Sequence, residues 1–302
     1  MKSLKILKSG FFRSLSSWKG VLMVWLLMFF LTAAIAMPVR GVLKTAFGNS
    51  MMPEKLALGY DLEVFADLGP VLKTLISQIS SGFVIAFLIG FVMNAFLTGG
   101  LFSSLRGMNS KFSYSDFFRE GARNFGAFMI ILLAVSLIFP LIFLLIIFVP
   151  SVISGAFGDG SERSVLVTGM ISVALGLLIM PVILLTADYA RAWKVTNDNA
   201  SGFRALGFGF KQTFRKFRSS YPVMLALMLI QIACTAAVLP VMAVWKPVSG
   251  KGVMLLFIVT QVLLFLKFLL RTWRYGSITA LREKDGPANE NHAHQVLTNE
   301  NQ

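Results

Sequence analysis

The residues best placed for chemistry stand where apolar stretches give way to polar ones. Asp188-Tyr189-Ala190-Arg191 closes an apolar run with an acid three residues ahead of an arginine. On a helix that spacing makes an i,i+3 ion pair. Asp188 can instead pair with Arg271 or Arg274 and fix one helix against another, or serve a ligand. Lys267, Arg271 and Arg274 follow at i, i+4 and i+7, the spacing of one helix face. Together with Arg191 they are the candidates for binding lipid or another anion, in the form of a headgroup or a phosphorylated substrate. The plainer reading of the stripe is snorkelling, with cationic stems along apolar surface and charged tips among headgroups.

Polar groups inside the apolar runs form a second set. Asn94, Gln231 and Gln261 lie deep, and Lys73 and Gln78 lie nearer an end. Such groups are costly in hydrocarbon and are functional candidates for that reason, although interhelical hydrogen bonding, worth about 0.6 kcal/mol each, explains them equally. No acid lies well inside any run, so proton or sodium coupling lacks its carboxylate. Cys234 is the only cysteine, and the two histidines, His292 and His294, sit in the polar C-terminal segment. That leaves no disulfide, no thiolate metal centre and no histidine-based triad in the body of the chain. No P-loop or H-E-x-x-H is present. No catalytic residue, cofactor or metal ligand is therefore assigned.

The elements that must position these residues are written in the hydropathy. Of 302 residues, 56% are hydrophobic and 14% charged, where about 25% charged is usual in soluble domains; the mean hydropathy is +0.74. Six runs, Val21–Met37, Val71–Leu97, Phe125–Val149, Val165–Ala187, Pro222–Trp245 and Val253–Leu270, approach or exceed the roughly 20 residues that a spanning helix needs. The predicted fold is an all-α membrane protein with one six-span domain over 1–282. Residues 283–302 are a polar tail whose composition predicts disorder.

The net charge of +14 is unevenly shared. One side, holding both termini and residues 98–124 and 188–221, carries 21 Lys or Arg against 8 Asp or Glu, and the other carries 7 against 6. The positive-inside rule places the basic side and both termini in the cytoplasm. Its expected partners are membrane lipids with anionic headgroups on that side, with a membrane-protein partner also possible and no role for nucleic acid. Ala34-Ile35-Ala36 resembles a signal-peptidase site, but the first run is long enough to stay as an uncleaved span.

A repeat underlies the order. Leu105-Arg106, Trp193-Lys194 and Leu281-Arg282 are spaced by 88 residues both times, as are Gly121-Ala122-Arg123-Asn124 and Gly209-Phe210-Lys211-Gln212. Gly10-Phe11-Phe12-Arg13 opens the first unit similarly. Three helical hairpins, each preceded by a short amphipathic helix, produce this spacing. In the second such helix Ser115 is the expected N-cap, with Asp116 and Glu120 following. In the third, Phe203, Leu206, Phe210, Phe214 and Phe217 share one face, with Arg204, Lys211, Arg215 and Arg218 largely elsewhere. These helices suit the headgroup plane or a docking partner. Gly59-Tyr60-Asp61-Leu62 through Leu68 reads as a further short helix. Small residues at 82, 90, 99, 100, 126, 169, 172 and 176 suit close helix packing, and Pro140, Pro181 and Pro240 suit kinks.

Four segments carry a family resemblance: Gly59-Tyr60-Asp61-Leu62, Phe96-Leu97-Thr98-Gly99-Gly100-Leu101, Phe117-Phe118-Arg119-Glu120-Gly121-Ala122-Arg123 and Asp188-Tyr189-Ala190-Arg191-Ala192-Trp193. Over residues 10–282 the chain resembles a group of bacterial six-span inner-membrane proteins without an assigned activity. It is distantly similar to the membrane portion of some glycerophosphodiester phosphodiesterases. The resemblance implies an architecture and a bacterial inner membrane. It carries over no catalytic residue, because the soluble hydrolase domain of those enzymes has no counterpart here.

Three functions remain in view. The first is a non-enzymatic inner-membrane protein that binds anionic lipid or supports membrane-protein assembly. The second is a transporter or lipid translocator, which would require a polar cavity. The third is a phospholipid-processing enzyme, which would require Asp188 to gather with Asp116, Glu120 or Asp198.

Overall fold

The computed structural model describes residues 2–48, 69–106, 112–157, 162–245 and 249–299, and within them every regular element is a helix. In chain order these are α1 (Lys2–Ser16), α2 (Trp18–Phe47), α3 (Gly69–Ser104), α4 (Tyr114–Phe157), α5 (Glu162–Thr196), α6 (Gly202–Arg215), α7 (Phe217–Val244) and α8 (Gly250–Asn299). All but α1 and α6 contain a stretch of 25 to 37 residues long and apolar enough to cross a membrane. The protein is an all-α membrane protein with six such spans. The short helix expected at 59–68 lies outside the described residues.

The three amphipathic segments meet their spans differently. Only Ser17 separates α1 from α2, and only Lys216 separates α6 from α7. The second segment does not end at all: α4 runs unbroken from Tyr114 into its span. Within it the Asn124 side-chain amide donates to the Glu120 carbonyl one turn back at 3.0 Å. Ser113, not Ser115, caps α4, its hydroxyl accepting from the Asp116 N–H at 3.4 Å. At α6, Ser201 accepts from the Arg204 N–H in the same way. Helix α8 carries on through the polar residues to Asn299, where composition alone predicts no order. Extending a helix already nucleated costs far less than starting one.

The chain divides into two compact units. The first comprises residues 1–17, 95–230 and 271–302. Its core joins Phe102, Phe128, Leu185, Tyr189, Met224 and Tyr275, with the Phe102 and Tyr275 rings 4.5 Å apart. A smaller cluster of Ile131, Ala187, Ala190 and Ala205 seats α6. The second unit comprises residues 18–94 and 231–270. In it α2 and α3 approach closely, for a Cβ at Gly82 would lie 3.1 Å from Ile35, and one at Gly90 3.4 Å from Leu31.

Within the first unit, one docking rule recurs three times. Each amphipathic segment lays a glycine against the basic end of a span. A Cβ at Gly121 of α4 would come 3.0 Å from the Phe96 carbonyl of α3. At Gly209 of α6 it would strike the Thr186 carbonyl and lie 2.9 Å from the Ala190 nitrogen of α5. At Gly10 of α1 it would strike the Ser277 hydroxyl and lie 2.6 Å from the Ser277 nitrogen of α8. The order is cyclic: the first helix in sequence docks on the last. Trp273 and Arg13 fasten that closure, the indole donating to the Leu7 carbonyl at 2.8 Å and the guanidinium pairing with Glu283 at 2.5 Å.

Candidate functional site

The basic ends of α5 and α8 bring the charged candidates together. Asp188 is fully buried on α5, one turn before Arg191 on the same helix. Arg191 Nη1 donates to Asp188 Oδ1 at 3.0 Å. From α8, Arg274 Nε stands 2.8 Å from Asp188 Oδ2, an ion pair lying off the line of a hydrogen bond. The local pair and the cross-helix pair, alternatives in the sequence, coexist here because a carboxylate offers two oxygens.

Arg271 takes a different partner. Its Nε donates to the Tyr275 hydroxyl at 2.5 Å, and the guanidinium groups of Arg271 and Arg274 lie over the Tyr275 ring at 5.5 and 5.2 Å from its centre. Tyr275 is fully buried. Sequence reasoning passed over it, although its position four residues after Arg271 was a visible signal. Lys267 does not share this environment: it is exposed. The stripe therefore grades from exposed Lys267, through half-buried Arg271, to buried Arg274.

The electrostatic balance is one-sided. Two buried guanidinium groups, those of Arg191 and Arg274, share the one Asp188 carboxylate, and Arg271 stands beside them on Tyr275. Burying ions is expensive unless partners compensate, so this place is suited to a further negative charge. Arginine's planar fork of donors fits phosphate and carboxylate oxygens two at a time.

Neighbouring cations have other tasks at the end of α5. Arg106 donates to the Val195 carbonyl at 2.8 Å, Lys194 to Asp198 at 2.7 Å, and Arg282 to Ala192. These are the three repeat-related residues of the sequence, and all three donate to carbonyls of the last turns of one helix or just beyond it, where cations are favoured; Val195 and Asp198 lack intrahelical partners of their own. The acids near this end are spoken for as well. Asp116 pairs with Arg119 at 2.7 Å, Glu120 with Arg123 at 3.2 Å, and Asp198 with Arg123. They do not assemble with Asp188 into a carboxylate cluster. Among the described residues no three His, Cys, Asp or Glu side chains converge as metal ligands would.

Of the amides inside the spans, Asn94, Gln231 and Gln261 all belong to the second unit, and each is half-buried. Gln261 Oε1 and the indole nitrogen of Trp25, in that same unit, are buried without a hydrogen-bond partner. Lys73 and Gln78 are exposed. Of the small residues, Gly99 packs close to Gly121, where a Cβ added at Gly99 would lie 3.3 Å from the Gly121 Cα, and Ser172 donates to the Ile146 carbonyl at 3.0 Å, while Gly126, Gly169 and Gly176 face open space.

Comparison of the chain with family models, with curated proteins and with solved structures finds no match.

Proposed function

We propose that this membrane protein is a non-enzymatic component of a bacterial inner membrane that holds an anionic lipid headgroup at Arg191, Arg271 and Arg274. The observation that carries the reading is the excess of buried positive charge around Asp188. A phosphate brings the missing negative charge and accepts from guanidinium forks. Anionic lipids concentrate in the cytoplasmic leaflet, which is the leaflet the positive-inside rule assigns to the basic side. Headgroup binding there also suits a role in supporting the assembly of other membrane proteins.

Native mass spectrometry of the protein released from native-lipid nanodiscs tests this. The wild type retains a defined anionic phospholipid through delipidation, and Arg271→Gln, which leaves the Asp188 pairs intact, retains less. Equal retention by the folded variant removes the site.

A second reading, translocation of a lipid or solute, draws on Gln261 and Trp25. Two buried polar atoms without partners inside spans are where a passing polar group would find a donor and an acceptor. Uptake or lipid-scrambling assays in proteoliposomes, with Gln261→Met as the comparison, separate this reading from binding alone.

A further inference from the structure

An amphipathic helix on a protein surface ordinarily buries its large apolar residues. Helix α6 does the reverse. Its buried face is Gly202, Ala205, Gly209, Gln212 and Thr213, whereas Phe203, Phe210 and Phe214 are 73%, 60% and 55% exposed. At about 100° per residue, the phenylalanine row lies roughly a third of a turn from the docked glycine face. Arg204, Lys211 and Arg215, all exposed, lie roughly another third further round. The helix thus has three sectors, one bound to the protein, one apolar and one basic.

Helix α1 repeats the arrangement about its own docked glycine. Six residues before, and one and five after, Gly209 stand Phe203, Phe210 and Phe214; the same places around Gly10 hold Leu4, Phe11 and Leu15. All three of these are exposed. Five residues before each glycine stands a cation, Arg204 or Lys5, and neither helix contains an acid. The third copy differs. Around Gly121 those places hold Ser115, Ala122 and Gly126, and an acid, Asp116, replaces the cation.

We propose that α1 and α6 are in-plane anchors whose Leu and Phe rows enter the headgroup–acyl boundary of an anionic leaflet, and that the first turns of α4 are not. A face docked through its glycine fixes each helix against a span, Ala205, Gly209 and Thr213 being buried in α6 and Ile6, Gly10, Arg13 and Ser14 in α1, so the apolar row is held outward rather than free to fold back. The bilayer is the one apolar medium a six-span protein always meets. Basic sectors without acids match an anionic leaflet. A protein partner would instead have to fit the same three-position row twice.

Nitroxide labelling tests the proposal on the full chain in vesicles of phosphatidylcholine and phosphatidylglycerol, with Cys234→Ser as the background that removes the only native cysteine. Single cysteines replace Phe210, Phe214, Leu15, Lys211 and Ala122. Labels at 210, 214 and 15 are expected to be open to oxygen and shielded from a water-soluble nickel chelate. Labels at 211 and 122 are expected to be open to the chelate. Chelate access at 210 and 214 equal to that at 211 overturns the anchor, as does shielding from oxygen and chelate alike, the mark of a protein cover. Shielding at 122 matching that at 210 overturns the distinction between the copies.

Discussion

Asp188 of α5 and Arg274 of α8 stand 2.8 Å apart, Oδ2 to Nε, with the carboxylate fully buried. The same carboxylate accepts from Arg191 through Oδ1. One acid therefore joins the ends of two spans, and it offsets only part of the positive charge around it. Its removal leaves buried guanidinium groups without their counterion, a loss of about 3–5 kcal/mol for pairs of this kind. Asp188→Asn is expected to melt well below the wild type in detergent. The double variant Asp188→Leu/Arg274→Met is expected to recover part of the loss, because it removes both charges together. If the excess charge holds a headgroup, phosphatidylglycerol raises the melting temperature of Asp188→Asn by more than phosphatidylcholine does. Equal shifts with both lipids separate the structural role of Asp188 from anion binding.

The anion site makes its own demand on Arg271. This arginine bonds Tyr275 and does not carry the Asp188 bridge, so charge and fold can be varied separately. Arg271→Lys keeps the charge but loses the planar fork; Arg271→Gln loses both. Anionic lipid retention is expected to fall in the order wild type, Lys, Gln, with the loss of the Tyr275 hydrogen bond costing about 1.5–3 kcal/mol of stability, the scale of one hydrogen bond from a charged group. Retention that is the same in all three would place the lipid elsewhere.

Six spans and the phenylalanine spacing of α6 were legible because each is a local pattern in the chain. The direction in which that row points was not. Spacing says that Phe203, Phe210 and Phe214 share a face, but which face docks is decided by Gly209 meeting the Thr186 carbonyl of α5, a contact between segments. The same limit applies at Asp188. The i,i+3 partner could be read directly from the sequence, whereas choosing between Arg271 and Arg274 required the rotation of α8 against α5. Ser113 displaced Ser115 as the cap for a smaller reason: helix starts are set within a residue or two by competing hydroxyls.

The glycine docking gives a paired prediction on one short helix. A Cβ at Gly209 meets backbone of α5, while one at Gly207 meets nothing within 4 Å. Gly209→Ala is expected to destabilise by about 1–3 kcal/mol, the usual range for overpacking. Gly207→Ala is expected to stabilise by about 0.5–1 kcal/mol, since alanine loses less backbone freedom in a helix. Thermal melts of the two variants in one detergent check both signs. A Gly209→Ala protein as stable as Gly207→Ala would mean that α6 is not seated on its glycine face.

Gln261 tests whether the spans contain a place for a polar guest. The rings of Phe29 on α2 and Phe257 on α8 lie 6.3 Å apart. Trp25 lies one turn before the first and Gln261 one turn after the second. First and sixth spans run in opposite senses, so those two turns fall on the same side of the ring pair. There the indole N–H and the amide oxygen are both buried and both lack a partner. An acceptor left in this state costs about 1–3 kcal/mol. If nothing occupies the place, Gln261→Met removes the unpaired amide at similar volume and is expected to raise the melting temperature. If a water or polar solute bridges the indole and the amide, the same substitution strands the Trp25 donor, lowers the melting temperature and abolishes any transport the protein performs. A stabilised Gln261→Met protein thus shows that no polar guest occupies this place and leaves Arg191, Arg271 and Arg274 as the site to test.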